Sequence, residues 1–221
     1  FDYLADGESL TLTYTITATD DSGENNAATT QDVVVTITGT NDQPQISLTP
    51  AVYSQNTDGQ YIDASGNVLA DQNDISARVI TTPADSASAS LTETENALST
   101  SGTLTVNDLD LSDTVALSTA VAKSGTTTGI EFTDAQLASM FTVTTGDIDA
   151  DSGDTNNITW SFNAGTDAFD YLADGESLTL KYTITATDDS DADNAATTQD
   201  VVISITGTND QPQISLTPAV Y

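Results

Sequence analysis

The sequence predicts an all-β protein built as an antiparallel β-sandwich. Apolar residues alternate with Thr over residues 10–19, so every second side chain is apolar. A period of two over this length is typical of a strand with one buried face. Turn-forming pairs such as Ser-Gly, Asp-Gly and Asp-Asp separate several such stretches, at a spacing of 10 to 15 residues. Many strands at that spacing indicate a sandwich.

Each further strand is predicted from the same alternation. The predicted strands after 10–19 are 33–38, 46–48, 103–106, 115–117, 130–132, 141–144, 158–163, 178–187 and 201–206. A small hairpin is predicted at 61–69, and 82–88 is predicted to be a linker or an edge segment. A short helix is predicted at 134–140 because Thr133 and Asp134 form a cap signal. Trp160, the only Trp, is predicted to anchor the core between Ile158 and Phe162.

An internal repeat organises the chain. Residues 1–53 recur as 169–221 with an offset of 168, and only six aligned positions differ. The differing pairs are Thr13/Lys181, Gly23/Asp191, Glu24/Ala192, Asn25/Asp193, Val35/Ile203 and Thr36/Ser204. A period this long suits whole tandem domains rather than the coils of a solenoid. Near-identity of the two copies indicates a recent duplication, and we expect more such units in series in a longer parent protein.

The repeat predicts the domain boundaries. Residues 1–44 are the C-terminal part of one repeat domain, and 45–90 are a connecting segment with short strands and a hairpin. Residues 91–212 are the complete β-sandwich domain, and 213–221 start the next repeat segment. Half a sandwich exposes a sheet edge. Either residues 45–90 complete the first half-domain, or it pairs with another molecule, as in domain swapping.

Composition excludes several classes of function. The chain has 34 acidic and 3 basic residues, and its formal charge is −31. Such a surface repels nucleic acid and anionic membranes. No apolar run is long enough to span a membrane. Because Cys and His are absent, thiolate nucleophiles, Cys-ligated metals and a Ser-His-Asp triad are excluded. We predict that the chain is not an enzyme, since its paired carboxylates come with no sign of an aromatic-lined cleft.

Acidic clusters at predicted strand ends indicate a calcium site. Carboxylates that converge at one tip of a sandwich repel each other, by ~4 kcal/mol for a pair ~4 Å apart at an intermediate dielectric. Oxygen ligands without His or Cys favour Ca²⁺ over zinc or copper. The candidate ligands are Asp20, Asp21, Asn41, Asp42, Glu93, Glu95, Asn107, Asp108, Asp110, Asp188, Asp189, Asn209 and Asp210, with Asp113 beside them. For any single cluster, an ordinary solvated turn is the alternative.

Other acidic segments are weaker candidates. The run 147–154 suggests an EF-hand, but its sixth position is Ser152 and its twelfth is Ile158, where that motif needs Gly and Glu. We interpret it as an acidic hairpin loop. Asp191 and Asp193 correspond to Gly23 and Asn25 in the first copy, so they are interpreted as surface residues.

A series of motifs in the second half of the chain resembles a known family. In order they are LTE at 91–93, SGTLTVNDLD at 101–110, NITWSF at 157–162, FDYLADGESLTLKY at 169–182 and TGTNDQP at 206–212. This series resembles the VCBS repeat over roughly residues 91–212. The family forms Ig/cadherin-like, that is immunoglobulin-like or cadherin-like, β-sandwich domains of giant bacterial surface proteins.

The resemblance implies a structural role. It implies a tandem extender module of an RTX-type adhesin in biofilm-forming bacteria, exported by type I secretion and stiffened by Ca²⁺ at domain junctions. Cadherin-like junctions would match Glu93 or Glu95, Asp108 and Asp110, Asp188 or Asp20, and Asn41-Asp42 or Asn209-Asp210. The segment 45–89 departs from the family pattern and separates Asn41-Asp42 from Glu93.

The sequence therefore predicts an extracellular spacer on the bacterial cell surface. Its expected cofactor is Ca²⁺, and its expected partners are neighbouring repeats of the same chain in a monomeric rod. Nucleic acid and membrane insertion are not expected. The alternative is a ligand-binding β-sandwich module for polysaccharide, ice or a host surface, which the Thr rows on residues 10–19 would suit.

Overall fold

The structure is a computed structural model that describes residues 1–25, 27–94, 96–150, 153–165 and 168–212. Its strands are β1 (Ser9–Thr19), β2 (Ala28–Thr38), β3 (Gln45–Ser47), β4 (Val52–Tyr53), β5 (Ile80–Thr82), β6 (Ser88–Thr92), β7 (Leu98–Asn107), β8 (Thr114–Gly125), β9 (Phe141–Val143), β10 (Ile148–Asp149), β11 (Ile158–Gly165), β12 (Ser177–Asp188) and β13 (Ala196–Thr206). One helix, α1 (Asp134–Ser139), and a 3-10 turn (Ile75–Ala77) lie among these strands in the described ranges.

Two sheets form the sandwich. Within the described ranges, one sheet has the order β10-β8-β12-β13-β6 and the other has the order β3-β7-β11-β9. Side chains from both sheets form one buried core cluster. The predicted all-β sandwich is confirmed. One pairing differs from the antiparallel prediction, because β6 runs parallel to β13. The chain leaves β6 directly for β7 in the opposite sheet, so no hairpin forces β6 to be antiparallel to its neighbour.

Aromatic rings join the two sheets at the centre of the core. The Phe141 ring is stacked on Tyr182, with 4.3 Å between ring centroids, and lies 5.8 Å from the Trp160 ring. Trp160 is 1% exposed, and its indole N–H donates to the Ser86 carbonyl at 2.8 Å. The predicted role of Trp160 as a core anchor is confirmed. Because its polar N–H has a partner, the ring is buried without an unsatisfied donor.

The helix prediction is confirmed and one strand prediction is wrong. Thr133 caps α1 in a capping box with Gln136, whose side chain returns a hydrogen bond to the cap. Residues 130–132 are not a strand. Ile130 and Phe132 pack against the core, but they lie in the short stretch between Gly129, with a positive φ of 97°, and the Thr133 cap. Their alternation reflects inward packing over a stretch too short to pair with a neighbouring strand.

Residues 45–90 contribute to the sandwich at two places. β3 pairs with the end of β7, and β6 lies beside β13. Between them, β4 and β5 pair with each other, and a bridge between Ile62 and Val68 forms the predicted small hairpin. Among the described residues, no strand of this segment pairs with β1 or β2. These strands therefore leave the first half-domain uncovered.

A polar network holds the same segment on the sandwich. The Asp85 carboxylate accepts hydrogen bonds from the Thr49 hydroxyl at 2.8 Å, the Thr105 hydroxyl at 2.7 Å and the Asn156 amide at 2.6 Å. Partial burial acts to raise the pKa of Asp85, but the hydrogen bonds from Thr49 and Thr105 act in the opposite direction, and the pKa lies below its ordinary value. The segment 82–88, predicted as a linker or edge, is therefore attached to both sheets through Asp85 and through β6.

The two copies of the repeated hairpin have the same register but different surroundings. Ser9 pairs with Thr38 as Ser177 pairs with Thr206, and the registers agree along both hairpins. In β12–β13 the inward side chains are covered by the opposite sheet, whereas in β1–β2 the corresponding side chains are exposed or half-buried. Tyr14 is 56% exposed and Tyr182 is 1% exposed; Ile16 is 57% exposed and Ile184 is buried completely. Position in the chain, not sequence, therefore decides whether this hairpin has a core.

We predict that amide hydrogen exchange separates the two hairpins. Peptides from β12 and β13 should be protected for hours, while the near-identical peptides from β1 and β2 exchange within seconds to minutes, since a lone two-stranded ribbon opens locally at little cost. Exchange followed by mass spectrometry measures this, because the six differing residues distinguish the two sets of peptides. Equal protection of both hairpins would contradict the uncovered state of β1–β2.

We predict that Gly102→Ala destabilises the sandwich. A Cβ at position 102 would lie 2.2 Å from the Ser86 hydroxyl and 2.6 Å from a ring carbon of Trp160. Relief of such a clash costs about 1–3 kcal/mol of the free energy of unfolding. Urea unfolding followed by Trp160 fluorescence measures the loss. The neighbouring exposed Ser101→Ala is the control and should change stability little.

Candidate metal centre

A short linker brings the first hairpin to the sandwich. Gly39 follows β2 and packs so closely on the Leu4 carbonyl oxygen that a Cβ there would lie 2.2 Å from it. Pro44 is buried at the other end of the linker, directly before β3. Because Pro restricts the residue before it to an extended conformation, residues 39–44 form a stiff connector. We call the end of the sandwich that meets this connector the linker end.

Acidic loops from two different strands meet at the linker end. The loop after β7 carries Asp108, Asp110 and Asp113, and β12 ends in Asp188. All four side chains are buried, with exposures of 2%, 0%, 8% and 6% in that order. The loop is held by its own hydrogen bonds: the Asp110 backbone N–H donates to Asp108 Oδ1, and the Asp113 N–H donates to the Asp110 carbonyl. Local turn formation therefore aims several carboxylates at one place.

The connector adds polar groups to the same place. The Asp42 backbone N–H donates to Asp110 Oδ2 at 2.6 Å, and the Asn41 amide donates to Asp188 Oδ2 at 3.3 Å. A further bond runs from the Asn194 amide to the Asn41 carbonyl at 3.0 Å. Residues separated by about 70 to 150 positions in the sequence therefore share one site, which lies between the first hairpin and the sandwich.

Unpaired oxygens concentrate at this site. Among the described residues, seven buried side-chain polar atoms lack a hydrogen-bond partner, and five of the seven are oxygens at the linker end. The five atoms are Asn41 Oδ1, Asn107 Oδ1, Asp108 Oδ2, Asp110 Oδ1 and Asp113 Oδ2. A buried acceptor without a partner costs free energy, more so when it is charged. Such a group of oxygens is the environment that a hard cation would relieve.

Burial and mutual repulsion raise the pKa values of three carboxyl groups at this site. Burial, with added repulsion from Asp188, Asp110 and Asp113, raises the pKa of Asp108 to about 6. Burial also raises the pKa values of Asp110 and Asp113, and neighbouring carboxylates add to both shifts. Basic side chains do not offset this effect, because Lys123 pairs with Asp134 and Lys181 pairs with Asp200, far along the chain. The remaining basic residue, Arg78, lies over the Tyr61 ring.

The structure divides the predicted ligands into three places. The linker end brings together seven of them: Asn41, Asp42, Asn107, Asp108, Asp110, Asp188 and Asp189. Asp20 and Asp21 lie apart, at the exposed tip of the β1–β2 hairpin, where Asp20 accepts the Ser22 N–H. Asp20 and Asp21 correspond in the repeat to Asp188 and Asp189, but no loop equivalent to 107–113 stands beside them in the described part of the chain.

The third place is the opposite end of the sandwich. Glu93 is buried there, and its carboxylate accepts the Thr208 hydroxyl at 2.9 Å. Asn209 and Asp210 follow and are exposed, whereas their counterparts Asn41 and Asp42 are half-buried. Glu93 therefore lies with the outgoing linker and not with Asn41-Asp42. Glu95 and residues 213–221 lie outside the described residues, as do Asp151 and Ser152 of the acidic loop.

Two acidic residues of the site are absent from the predicted set of ligands. Asp113 was noted only beside that set, and it proves as buried as the others. Glu8 lies on the first hairpin and adds to the repulsion that raises the Asp110 pKa. The place of Glu8 just before the predicted strand 10–19 is a sequence signal. Its proximity to the linker is seen only in the structure, where its carbonyl accepts the N–H of Gly39.

The arrangement is not a finished coordination shell. Among the described residues, no three His, Cys, Asp or Glu side chains already stand close enough to hold a metal ion. Such a grouping omits Asn and backbone oxygens, which are common ligands of Ca²⁺. The donor set of carboxylate and amide oxygens fits Ca²⁺, and two of the five unpaired oxygens belong to Asn.

Comparisons with known proteins add no family assignment. No protein-family model matches the chain, and no curated protein matches it either. The resemblance to the VCBS repeat therefore stays a prediction. In the described part of the chain, no helix has the length and apolarity needed to cross a membrane.

We predict that, when chelator is present, the free energy of unfolding falls as the pH rises. The folded-state pKa of Asp108, about 6, lies above its ordinary value of 3.8. Asp108 therefore binds more protons in the folded protein than in the unfolded chain between these values, so its contribution to the free energy of unfolding falls as pH rises from about 4 through 6. Asp108→Asn should remove part of this fall and stabilise the metal-free protein at pH 7 by up to roughly 3 kcal/mol.

Urea unfolding in chelator at pH 4, 5, 6 and 7 measures this effect. Asp58→Asn, at an exposed turn, is the control for general charge repulsion and should keep the wild-type slope. A wild-type slope for Asp108→Asn would contradict the prediction, and so would a loss of stability at pH 7 in chelator.

Proposed function

We propose that this chain is a Ca²⁺-stiffened spacer module of an extracellular bacterial adhesin. The observation that carries the proposal is the group of five buried, unpaired oxygens at the linker end. They belong partly to the connector and partly to the loop after β7, so an ion bound among them would tie one repeat unit to the next.

The mechanism we propose is mechanical. Without metal, the buried carboxylates repel each other, and the connector is held mainly by a few hydrogen bonds such as that from Asp42 to Asp110. With Ca²⁺, the repulsion becomes attraction to a shared cation, and the hairpin and the sandwich move as one body. Extracellular modules bind Ca²⁺ at roughly 10⁻⁴–10⁻³ M. The connector would then be stiff in a calcium-containing medium and loose in the cytosol.

Two further features support a structural role. The sequence repeats with a period of 168 residues, so the same junction motif, Thr-Asn-Asp-Gln-Pro, occurs at 40–44 and again at 208–212. The two ends of the sandwich are separated by the length of β12, so the site at the linker end and the outgoing linker lie on opposite sides of the unit. Such units extend a chain when they are joined end to end. The adhesin context and the export route rest on the resemblance to the VCBS repeat.

We expect Ca²⁺ to stabilise the protein and to extend it. At a hundredfold excess over its dissociation constant, one bound ion adds about 2.7 kcal/mol to the free energy of unfolding. For a chain of this size, the melting temperature should rise by roughly 5–10 °C. Thermal melts and small-angle scattering, each in Ca²⁺ and in chelator, measure the stability and the maximum dimension.

Asp110→Asn is the diagnostic variant for this experiment. It keeps the shape of the side chain and an acceptor for the Asp42 N–H, but it removes a fully buried charge. We expect it to lose at least half of the Ca²⁺-induced rise in melting temperature, while Asp58→Asn keeps the full rise. Mg²⁺ at the same ionic strength controls for screening. If wild-type melting temperature and maximum dimension are the same in Ca²⁺ and in chelator, the spacer is not calcium-stiffened.

A further inference from the structure

The β1–β2 hairpin has an exposed apolar face. Side chains that alternate along β1 meet those directly opposite on β2, so they share one face of the ribbon. The face consists of Leu10, Leu12, Tyr14, Ile16, Val33, Val35 and Ile37. Several of its members are more than two-fifths exposed. A two-stranded ribbon with such a face is marginal alone, so a cover is expected.

The chain itself shows what covers this face. Its second copy, β12–β13, carries the same face against the opposite sheet, with β8 and β6 at its two edges. The Tyr182 hydroxyl donates to the Leu137 carbonyl there, and the Tyr182 ring stacks on Phe141. We call the surroundings of β12–β13, formed by the described residues between 86 and 165, the acceptor half. Any chain segment with the chemistry of the acceptor half would fit β1–β2.

The two hairpins are interchangeable in that position. Of the six differences between the repeats, three lie at the hairpin tip and two on the outward face. Only one difference falls on the covered face, where Val35 replaces Ile203 and loses one methylene. The registers of the two hairpins agree residue by residue. The β1–β2 hairpin can therefore repeat nearly all contacts of β12–β13.

The β1–β2 hairpin cannot reach the acceptor half of its own chain. In that position, Thr38 would take the place of Thr206, beside Glu93, while Gln45 stays paired with Asn107 at the linker end. These two ends are separated by the length of an eleven-residue strand, about 33 Å or more. Seven residue steps from Thr38 to Gln45 span at most about 25 Å. The cover of β1–β2 must therefore be another copy of the acceptor half.

We propose that the apolar face of β1–β2 is a docking surface for the acceptor half of a second copy of this chain. Each chain has two hairpins but one acceptor half, which its own β12–β13 occupies. If two intact copies exchange hairpins, the number of uncovered hairpin faces stays the same. Such an exchange therefore brings no net gain in free energy. When β12–β13 of each copy is prevented from packing, two copies can each insert β1–β2 into the other, and every acceptor half is filled.

The test uses the full chain with Ile184→Asp. This substitution places a charge at a completely buried position of β12 and should displace β12–β13. We expect a folded protein of twice the 22.9 kDa chain mass, with the fluorescence of a buried Trp160. The matched control is Ile16→Asp, the same change at the corresponding exposed position of β1, which should remain a folded monomer. The double variant should be unfolded.

A disulfide identifies the position of the inserted hairpin. Thr183 faces Ala120 across β12 and β8, and Thr15 is the repeat counterpart of Thr183. The natural chain has no Cys, so Thr15→Cys with Ala120→Cys in the Ile184→Asp background gives one possible pair. Opposed residues on neighbouring strands lie within disulfide range. Equal mixing of ¹⁴N and ¹⁵N copies and peptide mapping should show the bond between molecules in most of the protein.

Each outcome of this experiment either supports or overturns the proposed docking surface. An intermolecular bond between positions 15 and 120, lost when Ile16→Asp is added, supports the docking surface. An unfolded Ile184→Asp chain overturns the proposal, because β1–β2 then cannot replace β12–β13. A folded Ile184→Asp chain without that bond overturns it as well, whatever its mass, because the acceptor half is then filled in some other way.

Discussion

Repulsion among buried carboxylates is the constraint on which the linker end depends. The fold buries four acidic side chains at this end, away from the apolar core: Asp108, Asp110, Asp113 and Asp188. In the described region, no basic side chain pairs with them. A sandwich with this core could be built with Asn or Ser at those positions. The carboxylates therefore cost stability in the metal-free protein, and the pKa values of Asp108, Asp110 and Asp113 are raised accordingly. The stability of the sandwich and the stiffness of its junction become coupled through the same few oxygens.

Acidic residues have different surroundings at different places in the molecule. Asp20 is exposed, and hydrogen bonds from Ser22 lower its pKa, while its repeat counterpart Asp188 is buried among other acids. The two residues have nearly identical local sequences. What separates them is the loop 107–113, which is beside Asp188 and has no described counterpart beside Asp20. A nearly identical acidic segment is therefore a solvated turn at Asp20 and part of a group of buried carboxylates at Asp188.

Much of the fold follows from local sequence pattern. The period-two alternation located β1, β2, β11, β12 and β13, because each of these strands buries one face or is built to do so. It misplaced a strand at 130–132, where alternating apolar residues pack inward from an irregular segment. The parallel pairing of β6 could not be predicted, since it depends on a crossover between sheets and not on any local signal. The same holds for β3, a three-residue strand whose place is decided by its distant partner β7.

The candidate site was predictable in its residue types and less so in its grouping. The Asp and Asn residues at strand ends predict oxygen ligands. The topology is needed to show that Asp108 and Asp188 lie together, and that Glu93 lies at the opposite end of the sandwich. Glu8 was missed because its position depends on the packing of Gly39 against Leu4, a contact between the hairpin base and the connector. Near-identical repeats limit sequence reasoning further, because Asp20 and Asp188 look alike until the neighbouring chain is in place.

The parallel pairing of β6 and β13 has a consequence for a chain under tension. A pull along the chain reaches the sandwich first at β3, whose three-residue ladder with β7 is short. If β3 separates, the load passes to the hydrogen bonds of Asp85 with Thr49, Thr105 and Asn156, and then to β6. Since β6 and β13 run in the same direction, the pull acts on their start and finish in opposite senses along the strand axis. Their hydrogen bonds are then loaded together in shear, and the core can stay folded while the chain lengthens.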